Sequence, residues 1–442
     1  MTTKNESIYG NLPSEWRIVE VRQLITDGLA ELQTGPFGTM LHASSYTPLG
    51  TPVVAVKNIG DNRILEEDVP RVNETDAERL TRYRLRAGDI LFGRKGQVER
   101  RALVRDEEEG WLEGSDCIRL RFLDDHIDPV FVSYVLGTRA YRDWIVRNAQ
   151  GATMPSLNQE IIGRILLPLP PHDEQRAIGH LLSEFDDKIQ VNYRINDVLE
   201  EISRSLFKSW FIDFEFPNEE GKPYRSSGGE LVYDDRLQRR IPSGWEVSEI
   251  GKEIEVGGGT TPDTTDSRFW EGGHINWATP KDLASLAAPV LIHTGRRITS
   301  QGLAAIGSRQ YPSGSLLMSS RAPIGYLAIT VIDTAVNQGM MAMNCRGYLS
   351  SYFMINWCRF NMEKIESMAN GTTFKEISKS TFRRIPIAIP SKSTLSLFDG
   401  VAESIYSKIA LNVKEAESLA AIRGALLPEL ISGRIRVSLE AS

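Results

Sequence analysis

The run Leu-Pro-Ser-Glu-Trp fills residues 12–16, and a close copy, Ile-Pro-Ser-Gly-Trp, fills residues 241–245. A second match joins Ala-Gln-Gly-Ala-Thr at residues 149–153 to Ala-Asn-Gly-Thr-Thr at residues 369–373, 220 positions later. Solenoid proteins repeat every 20–50 residues or so, and a period this long therefore indicates a duplicated module. The framing segments match while the interiors differ, which is typical of two similar scaffolds that carry two different binding surfaces.

Each module is β-rich and is followed by a long amphipathic helix. Residues 118–122 alternate apolar and polar side chains, as a half-buried strand does. After Asp173 the apolar residues recur every three or four positions, which predicts a helix of roughly 35–40 residues, or about 50–60 Å. We therefore predict an α+β fold, with two similar globular α/β-mixed domains separated by two long antiparallel helices in a pseudo-twofold internal repeat.

Changes of pattern along the chain predict seven segments. Residues 129–146 are predicted as one helix within the first domain, and a polar, glycine-rich stretch is predicted as a connector. The segments are an N-terminal tail (1–11), a first domain (12–171), a first long helix (172–215), a connector (216–240), a second domain (241–390), a second long helix (391–433) and a C-terminal tail (434–442).

Asn192 and Asn412 lie at equivalent positions near the middle of the two predicted helices, 220 residues apart. Helices that pair antiparallel bring their midpoints together, and a buried Asn fixes the register of such a pair at a cost in stability. We predict that the two asparagines face each other and lock the helix pair. The alternative is that each points to solvent.

The composition indicates a cytosolic protein with no membrane segment. The 442 residues exceed what one core usually supports, and the three cysteines lack metal-site spacing. The N-terminus shows no signal peptide, and no apolar run approaches the roughly 20 residues that cross a bilayer. The net charge of −7 argues against uniform coating by nucleic acid, but residues 79–105 concentrate arginine, which predicts a local basic patch.

Several segments, taken in order, resemble the specificity subunits of type I restriction–modification enzymes. They are the two module starts already quoted, Gly-Ala-Thr-Met-Pro-Ser-Leu-Asn at 151–158, Pro-Leu-Pro-Pro at 168–171 leading to Glu-Gln-Arg-Ala-Ile at 174–178, and Leu-Phe-Lys-Ser-Trp-Phe at 206–211. The resemblance covers nearly the whole chain. The second copy departs from the pattern where Thr394 and Leu395 replace Glu174 and Gln175.

The resemblance implies that each module is a target recognition domain that binds one half of a split site in double-stranded DNA. It implies that the paired helices fix the gap between half-sites and dock two modification (methyltransferase) subunits, which restriction (translocase-nuclease) subunits join. It also implies that this chain is not catalytic and holds no cofactor. S-adenosylmethionine, ATP and Mg²⁺ are then expected on the partner subunits. The differing interiors of the modules predict an asymmetric DNA site.

Candidate DNA-contacting residues follow β-prone runs or lie in glycine-flexed loops, where backbone and side chains can approach DNA. Arg and Lys suit guanine and phosphate, and Asn or Gln suits adenine. In the first module the candidates are Lys57, Asn58, Arg94, Lys95, Gln97, Arg100, Arg101 and Thr153. In the second module they are Thr279, Lys281, Asp282, Ser320, Arg321, Tyr326, Thr372, Thr373 and Lys375.

Two other classes of function stay open on sequence alone. The chain shows no phosphate-binding loop, metal-ligand spacing or methyl-donor motif, which disfavours a single-chain restriction–modification enzyme. The acidic net charge favours a scaffold whose modules bind protein or sugar. Such a scaffold predicts binding that is insensitive to salt, whereas phosphate contacts make affinity fall steeply as salt is added.

Overall fold

A computed structural model describes residues 12–37, 40–151, 154–307, 309–371 and 375–437. The chain divides into two compact units. Unit 1 comprises residues 1–187 and 419–442, and unit 2 comprises residues 188–418. Both units contain mixed sheets with short helices, and each contains part of both long helices. This arrangement confirms the predicted α+β fold with a duplicated module.

Unit 1 is built on a four-stranded antiparallel sheet in the order β2-β9-β6-β7. Its strands are β1 (Arg17–Glu20), β2 (Ala30–Thr34), β3 (Tyr46–Thr47), β4 (Thr51–Val54), β5 (Arg71–Val72), β6 (Ile90–Gly93), β7 (Arg101–Leu103), β8 (Leu112–Glu113), β9 (Cys117–Phe122) and β10 (Leu166–Leu169). Its helices are α1 (Val21–Thr26), α2 (Glu74–Arg79), α3 (Pro129–Val135), α4 (Arg139–Asn148), α5 (Gln159–Gly163) and the first part of α6 (His172–Phe207). A second sheet has the order β3-β5-β4-β8, and β1 pairs with β10.

Unit 2 repeats this plan with a five-stranded sheet in the order β14-β21-β18-β19-β16. Its strands are β11 (Leu231–Asp234), β12 (Arg239–Pro242), β13 (Glu246–Glu249), β14 (Glu255–Gly258), β15 (Ile275–Ala278), β16 (Val290–Leu291), β17 (Arg296–Ile298), β18 (Leu316–Ser320), β19 (Ile324–Thr330), β20 (Thr334–Val336), β21 (Met340–Asn344) and β22 (Pro386–Ile389). Its helices are α7 (Ile250–Glu253), α8 (Pro280–Ala284), α9 (Ser300–Ala305), α10 (Ser351–Phe360), α11 (Met362–Ser367), α12 (Lys379–Arg383) and much of α13 (Lys392–Ile431).

Backbone pairing relates most strands of unit 1 to strands of unit 2, although the large sheet of unit 2 has an additional strand, β16. The antiparallel pair β1–β10 of unit 1 corresponds to β13–β22 of unit 2, and the parallel pair β4–β8 corresponds to β15–β20. In the large sheets, Phe92 pairs with Ile118 just as Met318 pairs with Met341. The registers therefore give a residue-by-residue correspondence that does not depend on sequence similarity.

Three local expectations are corrected. The helix predicted over residues 129–146 is two helices, because the chain breaks at Gly137 and Thr138 caps α4 through the Tyr141 N–H. A side chain at Gly137 would collide with the Arg101 guanidinium, so this break also seats Arg101. The segment predicted as a connector (216–240) contains β11 and the first half of β12, which pair as a hairpin. In β9 the strand is confirmed but its predicted half-exposure is wrong, because Arg119 is buried.

The long helices pair antiparallel within each unit. In unit 2 the Asn192 amide donates to Glu415 Oε2 at 2.9 Å, and the Asn412 amide donates to Asn196 Oδ1 at 2.8 Å. In unit 1 Arg423 pairs with Asp186. Asn192 and Asn412 are both only 1% exposed, so the predicted burial is confirmed, but the predicted direct pair between them is not formed. The helices are displaced by one turn from the register that the repeat suggests.

Candidate DNA interface

Each unit presents one lysine from a short turn that follows a central strand. Lys57 lies in the turn after β4, and Lys281 lies in the first turn of α8 after β15; both side chains are exposed. The residue that follows each lysine caps the turn: Asn58 Oδ1 accepts from the Ala55 N–H, and Asp282 Oδ2 accepts from the Thr279 N–H. The two predicted lysines are therefore structurally equivalent.

The capping residues themselves are used inside the fold. The buried Asn58 amide also donates to the carbonyls of Leu65 and Glu67, at 2.9 and 3.0 Å. Asp282 also accepts from the Thr279 hydroxyl at 2.6 Å and from the Gly295 N–H at 2.8 Å. Asn58, Asp282 and Thr279 thus hold the turns that present the lysines, and contact of these three with DNA remains a prediction.

The basic loop of unit 1 begins where β6 ends. Arg94 is half-buried, while Lys95, Gln97 and Arg100 are exposed. A side chain at Gly93 would lie 3.2 Å from Val56 Cγ1, so the end of β6 is packed against the turn that carries Lys57. The predicted basic loop and the predicted lysine turn therefore lie side by side.

The same arrangement occurs in unit 2 after β18. The Arg94 N–H donates to the Asp116 carbonyl, and the Ser320 N–H donates to the Gly339 carbonyl, so Arg94 corresponds to Ser320 and Lys95 to Arg321. Gly339 is close to both Pro280 of α8 and the Arg321 guanidinium, because a Cβ there would be 3.1 and 3.4 Å from them. Tyr326 is more than a third exposed on β19, and its N–H donates to the Ser319 hydroxyl.

Residues on either side of the glycine-containing segments predicted at 151–153 and 371–375 pair with each other and with these basic loops. Gln150 and Ser156 pair with each other, and Ser156 also bridges to Lys95. In unit 2 Asn370 pairs with Glu376, which bridges to Arg321. Lys375 is exposed beside that bridge, whereas Thr153, Thr372 and Thr373 lie outside the described residues.

The predicted basic patch over residues 79–105 is largely neutralised by local acids. Arg79 pairs with Asp76, Arg84 with Glu74, and Arg105 with Asp187. Arg101, predicted to contact DNA, is only 2% exposed; it pairs with Asp61 and donates to the Ser133 carbonyl. Burial alone would raise the pKa of Asp61, but the charges of Arg101 and Arg142 outweigh it and lower that pKa.

Four positions next to the predicted residues were missed by sequence reasoning. They are Asp116 and Ser156 in unit 1, with Gly339 and Glu376 in unit 2. Lys95 Nζ lies 3.4 Å from Asp116 Oδ1, and Arg321 Nη1 lies 3.7 Å from Glu376 Oε2. An acidic residue therefore accompanies a basic one on the same surface of both units. We call this surface the loop face. It comprises the turn of Lys57 and the loop of Lys95 in unit 1, and the turn of Lys281 and the loop of Arg321 in unit 2.

The described residues contain no cluster of three or more His, Cys, Asp or Glu side chains that is arranged to bind a metal ion. Within the same residues, no helix combines the length and apolarity needed to cross a membrane.

Comparison with known proteins identifies the class of this duplicated architecture. A family model described as type I restriction modification DNA specificity domain matches residues 29–201 and again residues 242–397. The chain therefore belongs to the type I restriction–modification DNA specificity family, as the sequence resemblance predicted.

Individual relatives agree with this assignment. The type I restriction enzyme MjaIX specificity subunit of Methanocaldococcus jannaschii is 29% identical over 71% of this chain and 70% of its own length. The putative MjaX specificity subunit of the same organism is 24% identical over 97% of this chain and 95% of its own length. The crystal structure of an S subunit from M. genitalium shares the fold, with a TM-score of 0.57 and 15% identity over 97% of this chain and 98% of that one.

Proposed function

We propose that this chain is the non-catalytic DNA-recognition subunit of a type I restriction–modification complex, in which each unit binds one half of an asymmetric bipartite site. The observation that carries the proposal is the duplicated loop face. Its backbone hydrogen bonds and bridges match in the two units, while Arg94 and Lys95 in one correspond to Ser320 and Arg321 in the other. Two domains with matching backbone structure and different side chains suit two half-sites of different sequence.

The experiment is to co-express the chain with the modification subunit encoded beside it and to map methylated adenines across the host genome. A single asymmetric bipartite motif is expected. Failure of the chain to form a complex with the modification subunit, or DNA binding that is insensitive to added salt, contradicts the proposal and favours a protein- or sugar-binding scaffold, because phosphate contacts necessarily make affinity salt-dependent.

We propose further that α6 docks a modification subunit in unit 2. Its inner side, with Asn192 and Asn196, is buried against α13, but an outer apolar stripe is open. The stripe consists of Val191, Ile195, Val198 and Ile202, which are 46, 37, 55 and 49% exposed. Spacings of four, three and four residues match a coiled-coil seam, so a helix with an apolar face fits this stripe.

The docking proposal predicts that Val198→Asp with Ile202→Asp abolishes co-purification of the modification subunit while hydrogen exchange within unit 2 stays unchanged. Arg204→Asp is the matched control, since it adds negative charge to an exposed position of the same helix that lies well away from the stripe around the helix axis. Equal loss of co-purification in the control contradicts docking through the stripe. On this proposal the helices also set the gap between half-sites, and S-adenosylmethionine, ATP and Mg²⁺ belong to the modification and restriction subunits.

A further inference from the structure

Both loop faces combine one cation with one carboxylate, but the carboxylate comes from different loops. In unit 1 Lys95 is accompanied by Asp116, and in unit 2 Arg321 is accompanied by Glu376. The position that corresponds to Asp116 is Gly339, and the position that corresponds to Glu376 is Ser156. The two cations therefore occupy equivalent positions, whereas the carboxylates beside them occupy non-equivalent positions on different loops.

A surface that only held DNA phosphates would gain nothing from these carboxylates, because they repel the backbone. Base edges in the major groove are different. Guanine offers the acceptors O6 and N7 to Arg or Lys, and cytosine offers the N4 amino group to Asp or Glu. Guanine and cytosine face each other in one base pair, so a neighbouring cation and carboxylate match the two edges of a G·C pair.

In each ion pair, the two side chains are exposed enough to separate and to contact DNA instead. The side chains of Lys95 and Asp116 are 54 and 50% exposed, and those of Arg321 and Glu376 are 37 and 46% exposed. Ion pairs this exposed contribute little to stability because water screens them. Opening them toward a base pair therefore costs little, whereas Arg101, which pairs with Asp61, is itself buried and has no such freedom.

We propose that Lys95 with Asp116 and Arg321 with Glu376 are specificity-determining pairs, each of which reads a G·C base pair in its own half-site. This inference rests on the proposed function. It assigns a chemical identity to at least one position of each half-site, and it makes Asp116 and Glu376 direct contributors to sequence choice.

The test uses the complex with its modification subunits and a DNA library randomised over both half-sites, with methylation as the selection. Glu376→Gln is expected to reduce discrimination at one G·C position of one half-site roughly 5- to 150-fold, the range for one lost base contact, and to leave the other half-site unchanged. Asp116→Asn is expected to act on the other half-site only. Each half-site thus controls for the folding of the opposite variant.

Glu255→Gln provides a matched control, because Glu255 forms an exposed pair with Arg309 on β14 of unit 2. It is expected to leave the motif unchanged. Selection of an unaltered motif by Asp116→Asn and Glu376→Gln overturns base reading by these pairs while the proposed function stands, and loss of both half-sites in a single variant also counts against it. Absence of any motif with the wild-type complex is a failure of the proposed function itself.

Discussion

The large sheets of the two units have four strands that pair in the same way, but some of the buried positions on these strands carry different kinds of side chain. In unit 1 β9 carries Arg119 and Arg121, whose guanidinium groups bond Glu31, Gln33 and Asp89 at 2.6–2.8 Å. In unit 2 the matching positions of β21 are Ala342 and Asn344, and the position of Gln33 is taken by Gly257. Backbone hydrogen bonds hold the strands together in both sheets, so the side chains on these strands can differ while the fold stays the same.

The buried charged groups of unit 1 affect its stability. Arg119 is 1% exposed, and Glu113 is fully buried with neither carboxylate oxygen hydrogen-bonded. Burial raises the pKa of Glu113 well above its ordinary value of 4.5, and the nearby Asp89 adds to the shift, although Arg119 opposes it. Buried charges are stable only when they are compensated, whereas an apolar filling has no such requirement. Unit 1 is therefore sensitive to single changes that unit 2 tolerates.

The largest effect is expected from Arg119→Met, which removes the guanidinium that bonds Glu31 and the buried Gln33. This change leaves Arg121 to compensate the nearby carboxylates. The free energy of unfolding of unit 1 should fall by about 3–5 kcal/mol. Hydrogen exchange of the full chain measures this, with β9 amides exchanging faster and β21 amides unchanged. Arg309→Met in unit 2, which removes an exposed partner of Glu255, should cost less than about 1 kcal/mol. Equal sensitivity of the two units would remove the distinction drawn between their sheets.

A smaller effect of opposite sign is expected from Glu113→Gln. Because the folded-state pKa is raised, Glu113 contributes stability below its unfolded value of 4.5, and this contribution is lost as pH rises through the folded-state pKa. The Gln variant stays neutral, so it should stabilise unit 1 by about 1–3 kcal/mol at neutral pH and by little at pH 4. Denaturant unfolding at both pH values checks this; a pH-independent difference would show that ionisation of Glu113 is not the cause.

The smallest effect is expected from substitution of the lysines in the equivalent turns of the two units. Lys57→Ala and Lys281→Ala each remove one exposed cation from an equivalent turn, so each should weaken binding for all sequences and lower the salt slope by about 1. Titration of DNA at several salt concentrations measures both slopes. Slopes that differ between the two variants would show that the loop faces are not equivalent at these turns.

The sequence predicted the parts of the fold that depend on local pattern. The repeated framing segments located both modules, and the apolar spacing located α6 and α13. The burial of Arg119 could not be predicted, because its alternation with Ile118 and Leu120 is that of a solvent-facing residue. Its partners Gln33 and Glu31 are 86 and 88 residues away, so only the tertiary fold reveals them.

Some features of the candidate site could likewise be predicted from the sequence, and others could not. The equivalence of Lys57 with Lys281 followed from the repeat, and backbone pairing confirms it. Asp116 and Glu376 escaped notice because they occupy different positions in the two copies, so comparison of the repeats could not align them. The pairing of Asn412 with Asn196 was missed for a related reason, since repeat symmetry ignores the one-turn displacement between the packed helices.

The strand pairs that open and close each module have a consequence for how such chains change over generations. Arg17 lies opposite Leu169 in β1–β10, and Glu246 lies opposite Ile389 in β13–β22, so each module enters and leaves its unit at adjacent points. A gene-conversion event whose two breakpoints fall in the two paired strands of one module would exchange the whole interior of that module and preserve the anchoring hydrogen bonds. New recognition surfaces can thus be acquired in a single recombination event, without gradual remodelling of the scaffold.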